Sequence, residues 1–212
     1  MSPLTPERAL IFRIIHIENV AWALANGLHC KNSGNLDPYY REIGNQDLIS
    51  RRADRAIPIP PGGTLSDYIP FYFTPYSPMM LNIKTGYGGM QQTPMKDIVI
   101  FVSSLRKVAE MGLEFVFSDR HALLQLAEFS SDLNELGRVD WKILQARDFK
   151  RNPNDLGKVE RYQAEALIYE RMPVDALMGI ICYGEPQRQH VAALAEQRAA
   201  KLEIKAMPGW YV

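Results

Sequence analysis

The residues able to make or break bonds are few and scattered. Four histidines, His16, His29, His121 and His190, stand far apart, and no two have the i, i+4 spacing that would turn both toward one metal. Two cysteines, Cys30 and Cys182, are too few for a disulfide framework or a closed zinc site. No P-loop, GxGxxG, HExxH or CxxC occurs, so the common ATP, dinucleotide-fold and zinc mechanisms have no support, and no metal is expected. What remains is a set of polar residues at the ends of apolar runs. Gln163 and Glu165 are the most informative pair. If AEALIY, 164–169, is a strand, residues two apart point to the same face. A carboxylate in such a run enters a pocket or an interface, and burying it unpaired is costly, so it needs a partner or a task. Arg52, on a long loop, could be that partner. A strand edge with exposed polar residues accounts for the same spacing. His16 and Asn19 bracket the end of the first strand, where they could face a cleft or serve as a buried histidine and a helix cap. Asp119 and His121 follow another buried strand, with the same two readings. The segment GYGGM, 86–90, lacks the spacing and the lysine of a phosphate cradle and reads as a mobile loop.

These residues must be positioned by short elements. The pattern predicts a strand over 11–17, then a helix to about Asn26 with Gly27 at its C-cap. Residues 31–65 are polar and rich in Pro and Gly and read as a long functional loop, with one helical turn near 47–55. The aromatic block YIPFYFTPYSPMM, 68–80, reads as a buried strand broken by Pro75 and Pro78. Further strands are expected over 98–102, 115–117, 164–169 and 179–183. A short helix fits 104–111, two helices fit 122–144, and an amphipathic helix fits 192–201. A terminal strand is expected within 202–211. Strands and helices do not alternate regularly, which speaks against a doubly wound parallel sheet. The expectation is one α+β domain over 1–212.

Composition excludes several classes. The chain has 212 residues, 47% of them hydrophobic and 23% charged, with 24 Lys+Arg against 24 Asp+Glu. That balance excludes a polycation, an acidic solvating chain and a disordered tail. No apolar run reaches membrane-spanning length and the N-terminus has no signal-peptide pattern, so a cytoplasmic protein is expected. Neutrality hides a local asymmetry. Residues 110–135 hold one basic and six acidic residues (1 − 6 = −5), and residues 138–161 hold seven basic and four acidic (7 − 4 = +3). The second run is either a solvated helix face or a strip that contacts phosphates.

Five blocks resemble one family. GLHC (27–30), PPGGTLSDYIPFYFTPYSPMM (60–80), FVFSDRHA (115–122), DWKILQARDF (140–149) and ERYQAEALIY (160–169) are similar, in order, to the DarT family of bacterial DNA ADP-ribosyltransferase toxins. The resemblance implies an ADP-ribosyltransferase-like fold, a split mixed β-sheet core with surrounding helices and long loops. It implies NAD+ as co-substrate, transfer of ADP-ribose to thymine in a short motif of single-stranded DNA, and a consequent block of replication. It also implies a macrodomain antitoxin, DarG, and roles in toxin–antitoxin systems and phage defence. The chain is expected to act as a monomer. The family's catalytic glutamate falls on Glu165 and its loop arginine on Arg52. His16, Asn19, Gly27, Tyr68, Phe71 and Tyr72 take positions in the NAD pocket, with Arg52. His121, Arg147, Arg151 and Arg161 are the implied DNA contacts. Where some relatives carry a polar aromatic or histidine, this chain has Arg13.

The chemistry suits these residues. Breaking the nicotinamide–ribose bond builds positive charge on the ribose, as in glycoside cleavage, and a fixed carboxylate facing it favours the transition state. Thymine N3 needs a base, for which Glu165 is available, while Arg52 stays protonated and stabilises negative charge. Two alternatives are kept: an ADP-ribosyltransferase with a protein or other non-DNA acceptor, and a catalytically inactive nucleic-acid-binding module.

Overall fold

The computed structural model describes residues 4–212. In chain order it contains β1 (Leu10–His16), α1 (Val20–Asn26), β2 (Leu28–His29), α2 (Gln46–Arg52), β3 (Tyr68–Tyr72), α3 (Pro78–Thr85), β4 (Ile98–Ser104) and α4 (Leu105–Glu110). There follow β5 (Phe115–Ser118), β6 (Phe129–Ser130), α5 (Trp141–Ala146), α6 (Lys158–Arg161), β7 (Glu165–Tyr169), β8 (Arg171–Met172), β9 (Gly179–Cys182), α7 (Glu185–Gln197) and β10 (Glu203–Ala206).

Eight strands form one sheet in the order β10-β9-β4-β1-β3-β7-β5-β6, and β2 and β8 form a separate pair. β10 runs parallel to β9 and the other pairings are antiparallel, so the sheet is mixed, as expected from the irregular alternation of elements. The sheet parts in its middle. β1 is registered with β4 over all seven of its residues, from Leu10↔Ser104 to His16↔Ile98, but meets β3 only at Phe12↔Tyr72. Arg13 bridges the gap by donating from Nη1 to the Pro70 carbonyl at 2.8 Å. The divergence opens the floor of a cavity.

The strand patterns explain which face does what. Every residue of β4 (IVIFVSS) is buried, as a central strand covered on both faces requires. In β7, Ala166 and Ile168 join the main core, whereas Leu167 joins a smaller cluster with Tyr68, Val116 and Phe129 on the other face. Glu165 shares the parity of Leu167. β3 alternates likewise: Ile69 and Phe71 enter the main core, and Tyr68, Pro70 and Tyr72 line the cavity.

Several expectations need correction. The block 68–80 is not one strand: β3 ends at Tyr72, and Pro78 opens α3 in its first turn with Ser77 as N-cap, accepting from the Met80 amide at 3.2 Å. Between 122 and 144 there are not two α-helices but turns, the short β6, a 3-10 segment (Leu133–Arg138) and the start of α5. The helix expected at 192–201 begins at Glu185, with Pro186 in its first turn. Gly27 caps α1 as expected. Its φ is +85°, and a Cβ there would stand 2.7 Å from the Met172 carbonyl oxygen, so the turn into β2 needs glycine on both counts.

Candidate active site

Glu165 opens β7 opposite Tyr72 and is 3% exposed. Its carboxylate is not left unpaired. Oε2 accepts from Arg52 Nη1 at 2.9 Å, Oε1 accepts from the Ala122 backbone N–H at 3.0 Å, and His121 Nδ1 lies 3.3 Å from Oε1. Its own backbone N–H donates to Ser118 Oγ at 3.2 Å. Burial alone would raise its pKa, but the Arg52 guanidinium, His121 and the Ala122 amide outweigh it and bring the pKa down to about 2. The group is a fixed anion at neutral pH. Burial, reinforced by the Glu165 charge, holds the Tyr72 phenol neutral well above its ordinary value.

Arg52 reaches this centre from the C-terminal end of α2, whose N-cap Asn45 accepts from the Leu48 amide at 3.1 Å. Its side chain is 14% exposed, and while Nη1 serves Glu165, Nη2 is buried with no hydrogen-bond partner. A buried guanidinium nitrogen of this kind fits an acceptor brought by a ligand.

The carboxylate and Arg52 stand at the wall of a cavity of about 690 Å³ that also includes Asn19, Tyr68, Tyr72, His121 and Gln163. That is within the range of small-molecule and cofactor sites. One wall is the polar segment 31–45. Asn19, at 2% exposure, clamps it: Nδ2 donates to the Arg41 carbonyl at 2.9 Å and Oδ1 accepts from the Arg41 amide at 2.8 Å. The Arg41 guanidinium also meets the Glu18 carboxylate at 3.0 and 3.2 Å. His16 supports the turn below, its Nδ1 accepting from the Glu18 amide at 3.2 Å. Burial, then the nearby Arg41 charge, lowers the His16 pKa and keeps that nitrogen an acceptor. Asn19→Ala removes both bonds to Arg41. The expected loss is about 1–3 kcal/mol of stability by urea denaturation, with faster amide exchange over 31–45. Unchanged protection of that segment would show that the clamp does not hold it.

The residues read from sequence are therefore sorted by geometry. Glu165, Arg52, Asn19, Tyr68, Tyr72 and His121 line one cavity. Phe71, expected beside NAD, points into the main core because it is one residue out of phase with Tyr72. His16 and Gly27 do not belong to the cavity wall and act one layer back, as a cap and a turn. His121, expected on a DNA face, instead touches the Glu165 carboxylate. Arg161 is held by Asp140 at 3.1 Å and Asp155 at 2.7 Å, so it pins the 149–158 loop to α5 rather than presenting a free cation. Arg147 ends α5 with φ +53° and lies 4.6 Å over the Tyr76 ring, and Arg151 is exposed. Tyr68 lines the cavity as expected, and its hydroxyl donates to the Gly62 carbonyl at 2.7 Å.

Two groups escaped the sequence reading. Arg55 donates to the Ala122 and Leu124 carbonyls, at 3.3 and 2.9 Å, and so holds the turn whose amide binds Glu165. Ser118 accepts from the Glu165 amide and donates to the Arg120 carbonyl at 2.6 Å. Neither position carries a local signal, since both act across contacts distant in sequence. Among the described residues no cluster of three or more His, Cys, Asp or Glu could hold a metal, and no helix is long and apolar enough to cross a membrane.

Comparison with known proteins identifies the family. Residues 12–212 match the family model described as "ssDNA thymidine ADP-ribosyltransferase, DarT". A DNA ADP-ribosyl transferase of Escherichia coli O127:H6 is 49% identical over 210 residues, covering 99% of this chain and 96% of that protein. One from Thermus sp. strain 2.9 is 35% identical and covers both chains completely. Among solved structures, Thermus sp. 2.9 DarT in complex with ADP-ribosylated single-stranded DNA superposes with a TM-score of 0.90 at 33% identity, covering 100% of both chains. The same protein in complex with NAD+ gives a TM-score of 0.84 at 33% identity, covering 98% of this chain and 99% of that one.

Proposed function

Because this chain belongs to the DarT family of single-stranded-DNA thymidine ADP-ribosyltransferases, we propose that its cavity binds NAD+ and that Glu165 directs transfer of ADP-ribose to a thymine base. It is an NAD-dependent DNA ADP-ribosyltransferase. The observation that carries the site assignment is the buried, ionised Glu165 carboxylate held by Arg52 in a cavity of dinucleotide size.

The reaction breaks the bond between the ribose anomeric carbon and the nicotinamide nitrogen. The electron pair leaves with nicotinamide, and the ribose carbon gains cationic character. A carboxylate fixed beside that carbon stabilises the charge without reorganising, since Arg52, His121 and the Ala122 amide already define its position. Thymine N3 then attacks the anomeric carbon and loses its proton. With a pKa of about 2 in the free protein, Glu165 is a poor proton acceptor while Arg52 holds it. Release of Arg52 onto the developing negative charge of the thymine, or onto the NAD phosphates, raises the basicity of the carboxylate just when a base is required. The unpartnered Arg52 Nη2 is the donor available for that exchange.

Single-stranded substrate follows from N3 being hidden in a base pair, since extruding a base costs a few kcal/mol. Arg147 and Arg151, in the basic 138–161 run, are the proposed backbone contacts, with His121 acting at the carboxylate. On family grounds we also propose that the modification blocks replication, that a DarG-type macrodomain antitoxin opposes it, and that the chain acts as a cytoplasmic monomer in toxin–antitoxin systems and phage defence.

The test is acceptor choice. Protein and labelled NAD+ are incubated with a thymine-containing oligonucleotide, the same oligonucleotide with N3-methylthymine, its duplex, and lysate proteins. Labelling of the unmodified single strand alone is expected. Strong labelling of protein, or of the N3-methylated strand, would overturn the thymine N3 assignment.

A further inference from the structure

The GYGGM loop has so far no role. It joins α3 to the strand β4 through residues 86–97, and its glycines are not spacers. Gly86, Gly88 and Gly89 have φ of +73°, +69° and +77°, a region that a side chain disfavours. Gly86 ends α3, its amide donating to the Asn82 carbonyl at 2.8 Å. The return is anchored by the Thr93 amide on the Ile83 carbonyl (3.0 Å) and by Gln92 Nε2 on the Lys84 carbonyl (3.0 Å). The loop therefore has a defined course, and Tyr87 sits at its turn. Tyr87 is 72% exposed yet belongs to the cavity wall, as do the partly exposed Tyr40 and Leu48.

Its place along the cavity can be read from α2. Arg52, at the C-terminal end of that helix, holds Glu165, whereas Asn45, at the other end, reaches the Gly88 carbonyl at 3.4 Å. Seven residues of α-helix span about 10 Å, so the loop's contact with Asn45 stands about that far from the backbone of Arg52, whose side chain serves the carboxylate. In NAD+ a diphosphate and a second ribose separate the reactive anomeric carbon from the adenine ring. With that carbon at Glu165, the planar apolar group arriving near Tyr87 is the adenine.

We infer that Tyr87 is an adenine-stacking residue of the NAD+ site, presented by the positive-φ glycines around it. This rests on the assignment of Glu165 to the reactive end of NAD+. Exposed aromatic surface on an otherwise solvated loop is covered when the purine binds, and the left-handed glycines fix the ring's approach without adding side chains that would obstruct it.

Tyr87→Ala and Tyr87→Phe test the inference by steady-state kinetics with NAD+ and a thymine oligonucleotide, and by calorimetric binding of ADP-ribose and of nicotinamide mononucleotide. Tyr87→Ala is expected to raise the KM for NAD+ and the Kd for ADP-ribose by roughly 5- to 150-fold, the range for loss of one base–aromatic stack, with kcat retained. Tyr87→Phe should restore both, and nicotinamide mononucleotide, which lacks adenine, should bind the alanine variant as it binds the parent. An unchanged KM for NAD+ overturns the inference. So does a rise in oligonucleotide KM alone, which would place Tyr87 on the acceptor strand. If the parent protein labels no thymine but its NAD+ cleavage still responds to Tyr87→Ala, the acceptor assignment fails and the stacking role stands.

Discussion

Glu165→Gln is expected to lower DNA modification by at least about 10³-fold while leaving a folded protein. Glutamine keeps the volume but has one acceptor oxygen, so it accepts from Arg52 or from the Ala122 amide and not from both, while β7 stays in place through its pairing with β3 and β5. What it removes is the negative charge facing the anomeric carbon. Preorganised charge is worth most in a buried site, because no solvent screens it and none must reorganise as the transition state forms. Loss of the charge also leaves the Arg52 guanidinium buried without a counter-ion, so a lower melting temperature is expected beside the lost activity. The measurement is initial-rate labelling of a thymine oligonucleotide, with circular dichroism to verify the fold. A near-parental rate would mean that some other group faces the ribose.

Arg52→Ala should lower activity by at least about 10²-fold, the usual effect of removing one electrostatic donor. It should also alter the pH dependence. In the parent protein the Glu165 pKa lies at about 2, below the ordinary 4.5, so the carboxylate stays ionised through the acid range in which enzymes are assayed. A depressed carboxylate pKa contributes stability that is present above the ordinary value and is lost as pH falls toward the folded value. Without Arg52, burial is opposed only by His121 and the Ala122 amide, and the pKa rises. Both the acid limb of kcat/KM and the acid midpoint of unfolding should move to higher pH in the variant. A variant that loses activity with no such shift would place Arg52 on the substrate alone, with its contact to Glu165 incidental.

How much of this was legible in the sequence depends on whether the signal was local. Glu165 was, since a carboxylate at the head of an apolar strand has to be paired or used. Gly27 was, because a glycine after a helical run marks a C-terminal cap. Arg52 lies 113 residues from Glu165: the long loop offered it as one conceivable partner, and the family resemblance, not spacing, gave it the role. Phe71 was placed in the NAD pocket by the family resemblance with strand phase left out: in YIPFY the cavity face is Tyr68, Pro70 and Tyr72. A separate oversight hid α3, since Pro78 was read as a strand breaker when, behind Ser77, it is a helix starter. The 122–144 region looked helical by spacing, but its course is set by Arg55 and Glu165 from elsewhere in the chain. Asn19 could have been a helix cap or a cleft residue. It is a cavity residue, and its polar atoms are spent on the Arg41 backbone. Even the charge balance had two layers, because the basic 138–161 run includes Arg161 and Lys158, which are bound in ion pairs, beside the exposed Arg151.

The most direct test of the central claim is mass spectrometry of a thymine-containing single-stranded oligonucleotide after incubation with NAD+, using the parent protein and Glu165→Gln in parallel. The predicted result is one added ADP-ribose on a thymine with stoichiometric release of nicotinamide, seen with the parent and absent with the variant. An adduct formed equally well by Glu165→Gln, or nicotinamide release by the parent with no adduct on the DNA, would contradict it.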